Sequence, residues 1–305
     1  MHKKCINAYK FDTELGPFLM NILTVRDNDD MAAACQQTVY MDRSMAYRLG
    51  HETVQICNDR RYMTVDLTHE IDETVKNTTT IKPEVILPNH GRIRSPAHIT
   101  HVEIANLTTL VAAKEIVDKG MKVAVLNFAN PIEPGGGFLS GSRAQEESLC
   151  RSSALYHTIR DNEMYPWHLG RSDSRLASDW CIWSPDVPVF RNDIGDFLEQ
   201  PWMMSVLTCA APQAKFASRE EIKAIMTKRI SRVLEIFRNN EATHLVLGAW
   251  GCGAFGCDPN DIAEIFAEAL NNQYDGVFDF ISFAIADWSP TRRNLGPFVS
   301  AFGNV

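Results

Sequence analysis

From residue 122 onward the chain alternates between short apolar, β-branched runs and amphipathic stretches, an order that few folds accept. Lys122–Ala129 (KVAVLNFA), Met203–Cys209 (MMSVLTC), His244–Trp250 (HLVLGAW) and Val277–Ala286 (VFDFISFAIA) read as strands buried on both faces. Helical patterns lie between them, over Ala144–Ile159, Ser218–Arg238 and Asp258–Asn271. Ser218 with Glu221 three residues on forms a capping box at the start of the second. Upstream, Ile104–Lys119 repeats apolar residues at helical spacing and stops at Gly120, a helix-ending residue. CIWSPDVPVF, within Ser178–Phe190, is a further strand candidate broken by two prolines. Strands alternating with helices predict an α/β sheet covered by helices on both faces.

The N-terminal third is less regular. Residues 1–45 carry polar clusters such as RDNDD and read as a weakly ordered extension. A helical run follows over Arg48–Cys57, then a short strand near Tyr62–Leu67. The Thr-, Pro- and Gly-rich stretch from about 74 to 96 reads as a surface excursion. The expected division is therefore an N-terminal extension and accessory segment over 1–95 and a catalytic domain over 96–305, with the boundary near Arg94–Ala97.

Composition narrows the function. With 30 Lys+Arg against 38 Asp+Glu, a formal charge of -8 argues against a general grip on nucleic acid, which needs clustered cations. It does not exclude holding one anionic ligand through backbone N–H groups, which carry no formal charge. No stretch approaches the roughly 20 apolar residues of a membrane span. The start, MHKKCINAYKFDTE, has no apolar run behind its basic residues. A cytoplasmic protein is expected, or a nuclear one if the source is eukaryotic. The eight cysteines are spread out and read as reduced thiols filling the core; Cys252 and Cys257 have no second Cys/His pair near them to complete a zinc site.

Two loops have the composition of a ligand site. Directly after KVAVLNFA come Gly135, Gly136 and Gly137, whose missing Cβ atoms permit close approach, and seven residues later Gln145, Glu146 and Glu147 open a helix. Acids in a first turn suit the helix dipole on their own. Beside a glycine loop hung from a buried strand end, they also suit acid–base work. Adjacent helical residues point about 100° apart, so one carboxyl can face a reacting bond while the other holds a neighbouring hydroxyl. Glycosidic cleavage through an oxocarbenium-like transition state matches such a pair. The second loop follows HLVLGAW: Gly251, Cys252, Gly253, Ala254, Phe255 and Gly256 fit G-x-G-x-x-G. A dinucleotide fingerprint belongs to the first βαβ unit, whereas this loop follows the penultimate strand, so it is read as an anion loop at a helix start. Phe255 is expected to lie on a ligand. Together the loops suggest a clamp around a diphosphate.

These blocks resemble the microbial-type poly(ADP-ribose) glycohydrolases. GGG, seven residues, then QEE resembles that family's signature, and VAVLNFANPIEPGGGF, RAQEESLCRSSALY, SPDVPVFRND, SVLTCAAP and LVLGAWGCGAFGCDP follow in the family's order, over about 48–288. The resemblance implies a macrodomain-like three-layer α/β/α sandwich with a mixed sheet, preceded by an N-terminal helical extension. It implies that Glu147 protonates the departing ribose oxygen and then activates water. Glu146 and Asn130 would contact the ribose being cleaved, Gly135, Gly136, Gly137 and Phe138 would line its pocket, and Gln145 would stand among the substrate-binding residues. Gly251–Gly256 would wrap the diphosphate, with Phe255 on the distal ribose. No metal or cofactor is implied. The substrate would be poly(ADP-ribose) or ADP-ribosylated protein, the product ADP-ribose, and the chain a monomer with no membrane or direct DNA contact. Cys257 stands where the family pattern has Asn. A silent ADP-ribose reader and a hydrolase of mono(ADP-ribosyl) protein or nucleobase are the rival readings.

Overall fold

The computed structural model describes residues 22–87 and 98–303. In chain order it contains β1 (Ile22–Arg26), α1 (Asp29–Val39), α2 (Arg43–Asp59), a hairpin of β2 (Arg61–Tyr62) and β3 (Val65–Asp66), α3 (Thr68–Asn77) and β4 (Thr79–Ile81). Then come β5 (His101–Ala105), α4 (Thr109–Val117), β6 (Ala124–Phe128), α5 (Gln145–Ser152), α6 (Leu155–Ile159), α7 (Met164–Leu169), β7 (Cys181–Arg191) and β8 (Phe197–Cys209). The last are α8 (Arg219–Asn239), β9 (His244–Leu247), α9 (Pro259–Asn271), β10 (Phe280–Ala284) and α10 (Leu295–Gly303).

Eight strands form one mixed sheet in the order β1-β5-β10-β9-β6-β8-β7-β4. The six from β1 to β8 run parallel, while β7 and β4 are antiparallel to their neighbours. The apolar runs are continuous because alternate side chains enter different cores. In β9, Leu245 and Leu247 join the cluster built with α8, α9 and α10, while Val246 joins the one built with α2, α4, α5 and α6. That is the expected three-layer sandwich. The capping box of α8 forms, with Ser218 and Glu221 each accepting from the other's backbone N–H. Among the described residues no helix is long and apolar enough to cross a membrane.

Several sequence expectations change. The residues expected to form an extension include β1, which pairs with β5 at one sheet edge, and the expected excursion includes β4, which pairs with β7 at the other. The boundary position near Arg94–Ala97 lies outside the described residues, yet the segments on either side share one sheet, so the fold does not divide there. A short edge strand such as ILTVR carries too few residues for its period to show. Ile104–Lys119 is not one helix: β5 ends at Ala105 and α4 begins at Thr109, because Val102 and Ile104 are needed between two parallel neighbours. Ala144–Ile159 breaks at Ser153, which bridges Val189 while Ala154 N–H donates to Pro188 O at 3.0 Å. Both prolines of β7 are accommodated, Pro185 within an irregularity between Ser184 and Val187.

Candidate active site

The strand ends of β6 and β9 open a cavity of about 640 Å³. The two strands pair only at Ala124–Leu245 and Val125–Val246, then separate. Gln145 fills the gap: Phe128 N–H donates to its Oε1 at 2.9 Å, and its Nε2 donates to Leu126 O at 2.8 Å and Thr109 Oγ1 at 3.3 Å. Its amide acts as a missing strand partner. Gln145 lines the cavity as well, so it borders the ligand space while its amide is committed to β6. The same bonds fix the first turn of α5, and with it the two glutamates.

Glu146 and Glu147 leave that turn in different directions and meet different partners. Glu146 is buried, its Oε2 accepting from Asn130 N–H at 2.7 Å and its Oε1 from Asn127 Nδ2 at 3.3 Å. Burial first, and then the charge of Glu147, push the Glu146 carboxyl well above the usual range, against those two hydrogen bonds. Glu147 lines the cavity; Gly137 N–H donates to its Oε1 at 3.0 Å, and its Oε2 has no hydrogen-bond partner.

The glycine loop is shaped around these carboxyls. Gly136 has φ +57, and a Cβ there would lie 2.5 Å from Glu147 Oε1 and 3.0 Å from Glu146 Oε2. Only a bare Cα fits between the two acids. Gly137 reaches the cavity, but Gly135, Gly136 and Phe138 do not line it. Phe138 is fully buried, with its ring 4.6 Å from Tyr156 and a Cβ at Gly135 only 2.9 Å from it. It anchors the loop in the core, where its aromatic area is worth most, and not at the cavity wall. Asn130 lines the cavity, and its Oδ1 accepts from Ile132 N–H at 2.9 Å and Glu133 N–H at 3.1 Å, so its side chain also shapes its own turn.

From the second loop Gly251, Gly253, Ala254 and Phe255 line the cavity, and Phe255 is half-buried. Cys252 and Gly256 do not line it; Cys252 is buried in the core beneath. The α9 start is closed by its own cap, Asn260 N–H donating to Asp258 Oδ1 at 2.9 Å, so the loop and not the helix end faces the cavity. Cys257 turns inward, its Sγ donating to Pro212 O at 3.5 Å, and a Cβ on Gly251 would lie 2.8 Å from that sulfur.

Some contributors escaped sequence reasoning. Asn127 and Thr208 are register partners on β6 and β8, fully buried and joined at 3.2 Å, and Asn127 carries Glu146. The signal for Asn127 was a polar residue within the otherwise apolar β6; Thr208 has no comparable signal, since β8 carries other polar residues. Arg151, one turn after Glu147, donates to Ser142 O at 2.5 Å; burial pulls its guanidinium below the ordinary value, against the charges of Glu147 and Asp193. Asp193, in the turn between β7 and β8, lines the cavity and accepts from Thr108 Oγ1 at 2.6 Å; burial raises it to about 6.

A three-layer sandwich with two glycine loops and a carboxyl pair at the strand ends defines a macrodomain-type glycosidase. Comparison with known proteins narrows the class. A family model described as the catalytic domain of microbial-type PARG, poly(ADP-ribose) glycohydrolase, matches residues 50–192. The solved poly(ADP-ribose) glycohydrolase of Thermomonospora curvata is 37% identical with a TM-score of 0.80, over 85% of this chain and 99% of that one. The same enzyme bound to the inhibitor ADP-HPD matches at 37% identity and 0.78, over 84% and 99%. The Deinococcus radiodurans enzyme in complex with ADP-ribose matches at 33% identity and 0.68, over 79% and 99%. No curated protein sequence matches the chain. The chain belongs to the microbial-type poly(ADP-ribose) glycohydrolase family.

Proposed function

We propose that this chain hydrolyses the ribose–ribose O-glycosidic bonds of poly(ADP-ribose), releasing ADP-ribose, with Glu147 as the acid and then the base. The observation that carries the assignment is the state of its carboxyl. One oxygen is steadied by Gly137 N–H, while the other is buried at a cavity wall without a partner. An orphaned buried carboxyl oxygen is costly, and a substrate oxygen supplies the partner it lacks. Glu147 donates its proton to the departing ribose oxygen, then takes one from the water that attacks the anomeric carbon. Glu146, held from behind by Asn130 and Asn127, stands beside it to hold hydroxyls of the same ribose. The loop Gly251–Phe255 offers backbone N–H groups to the diphosphate without adding charge. That diphosphate, close to the oxocarbenium, meets the developing positive charge, so no second nucleophilic carboxylate is required.

A silent reader has no use for a buried acid with one free oxygen. The test is hydrolysis of automodified polymer and of mono-ADP-ribosylated protein by wild type and Glu147→Gln. The expected result is polymer cleavage by wild type and a loss in kcat on the order of a thousandfold in the variant, near the range of positioned acid–base groups. Intact polymer after incubation with wild type would refute the activity. Wild-type turnover by the Gln variant would refute the role of Glu147, and faster turnover of the mono-modified protein would move the assignment to that rival.

A further inference from the structure

His168, on α7, is 1% exposed and lies outside every motif that points to the reaction. Its Nδ1 is 2.9 Å from Pro131 O and its Nε2 is 2.8 Å from Ser178 Oγ. A carbonyl only accepts, so Nδ1 carries the hydrogen and Nε2 accepts from the Ser178 hydroxyl. Burial, with Arg229 and Arg171 nearby, holds the imidazole below its ordinary value and so in this neutral form. Pro131 is the residue after Asn130, whose N–H grips Glu146 Oε2 at 2.7 Å. Ala177, immediately before Ser178, packs with Ala129 and Ala210 and has φ +54. The same segment therefore touches the residues on both sides of Asn130, once through an apolar contact and once through the imidazole.

We propose that His168 is a positioning residue for the glycosidic reaction: its Nδ1–H fixes the Asn130–Pro131 turn, and through that turn the Glu146 carboxyl. Pro131 has no N–H with which to tie itself to a neighbour, so its carbonyl is the backbone handle available on that residue. The turn leaves the end of β6 with Asn130 N–H aimed at Glu146, and a shift of it moves that donor directly. The imidazole has no place in the cavity and touches no reacting atom. Its influence is confined to where the turn stands.

The inference rests on the assignment of Glu146 and Glu147 above, and its failure is separable from theirs. It is read in an enzyme whose turnover still depends on Glu147. The experiment measures kcat, KM and Tm for polymer hydrolysis by the full chain carrying His168→Asn, His168→Gln or His168→Leu. Asn places its amide N–H where Nδ1 stands, whereas Gln places its amide near Nε2. The expected result is that Asn rescues kcat to within about twofold, while Gln and Leu lower it about tenfold with KM little changed, as misplacement of a supporting group does. Equal kcat in the Asn and Gln variants would overturn the proposal, as would losses that follow Tm whichever edge is kept. Ser178→Ala keeps the test decisive should a His168 variant fail to fold. It leaves the ring and its Nδ1–H and removes the second of the two hydrogen bonds that hold the imidazole in place against Pro131 O; a kcat reduced about threefold supports the proposal, and an unchanged kcat overturns it.

Discussion

Replacing Gly136 by Ala isolates the close approach on which the site depends. Two costs are superposed. The first is conformational: at φ +57 an L-residue with a Cβ loses roughly 1–2 kcal/mol. The second is steric, because the new Cβ would stand 2.5 Å from Glu147 Oε1 and 3.0 Å from Glu146 Oε2, where ordinary contact begins near 3.4 Å. Something has to move by about 1 Å. The carboxyls, at the ends of side chains, yield more readily than a loop anchored by buried Phe138. A displacement of about 1 Å at a reacting group costs on the order of a hundredfold in rate. The expectation for Gly136→Ala is therefore kcat down about a hundredfold, with Tm lower by only a few degrees. Gly120→Ala is the control, since Gly120 has φ +78 and a Cβ there meets nothing within 4 Å. It carries the conformational cost alone and keeps wild-type kcat. Steady-state polymer hydrolysis and thermal unfolding of both variants decide the matter. Wild-type kcat in Gly136→Ala, or equal kcat losses in the two variants, would refute the reasoning.

Two further outcomes follow from other contacts. Gln145→Met strands the buried N–H of Phe128 and C=O of Leu126, so urea unfolding should show a loss of about 3 kcal/mol, accompanied by a fall in kcat as α5 loses its tether. Asp193, raised from 3.8 to about 6, binds its proton more tightly in the folded chain than in the unfolded one. Its contribution to stability therefore falls as pH rises through that window and stays low above it. Asp193→Asn should gain about 2 kcal/mol over wild type at pH 8, after allowance for partial exposure, and nothing near pH 3.5. A gain confined to acid pH in urea titrations would contradict the sign.

Much of the site is legible in the amino-acid order alone. Three glycines at a strand end and, after seven intervening residues, the run Gln145–Glu146–Glu147 mark the right helix start, because φ preferences and the helical period are local. Individual roles are less legible. Phe138 and Cys252 stand within the motifs yet pack into the core, Gly256 stands outside the cavity, and Gln145 lines the cavity while tying α5 to β6. A motif states which residues occur together, and only packing decides which of them faces the cavity.

The sequence by itself determined the alternation of strands and helices, the starts of α5, α8 and α9 and the pair of acids, since each depends on residues within one or two turns of one another. The tertiary structure alone decided that β1 and β4 are the two edges of a single sheet, and that β6 and β9 part where Gln145 steps in. It also decided that Asn127 finds Thr208 across a separation of 81 residues and His168 finds Pro131 across 37. The physical reason is the same in each case. A buried polar group takes whatever partner the pairing of distant strands brings within about 3 Å, and nothing local in the chain specifies that partner.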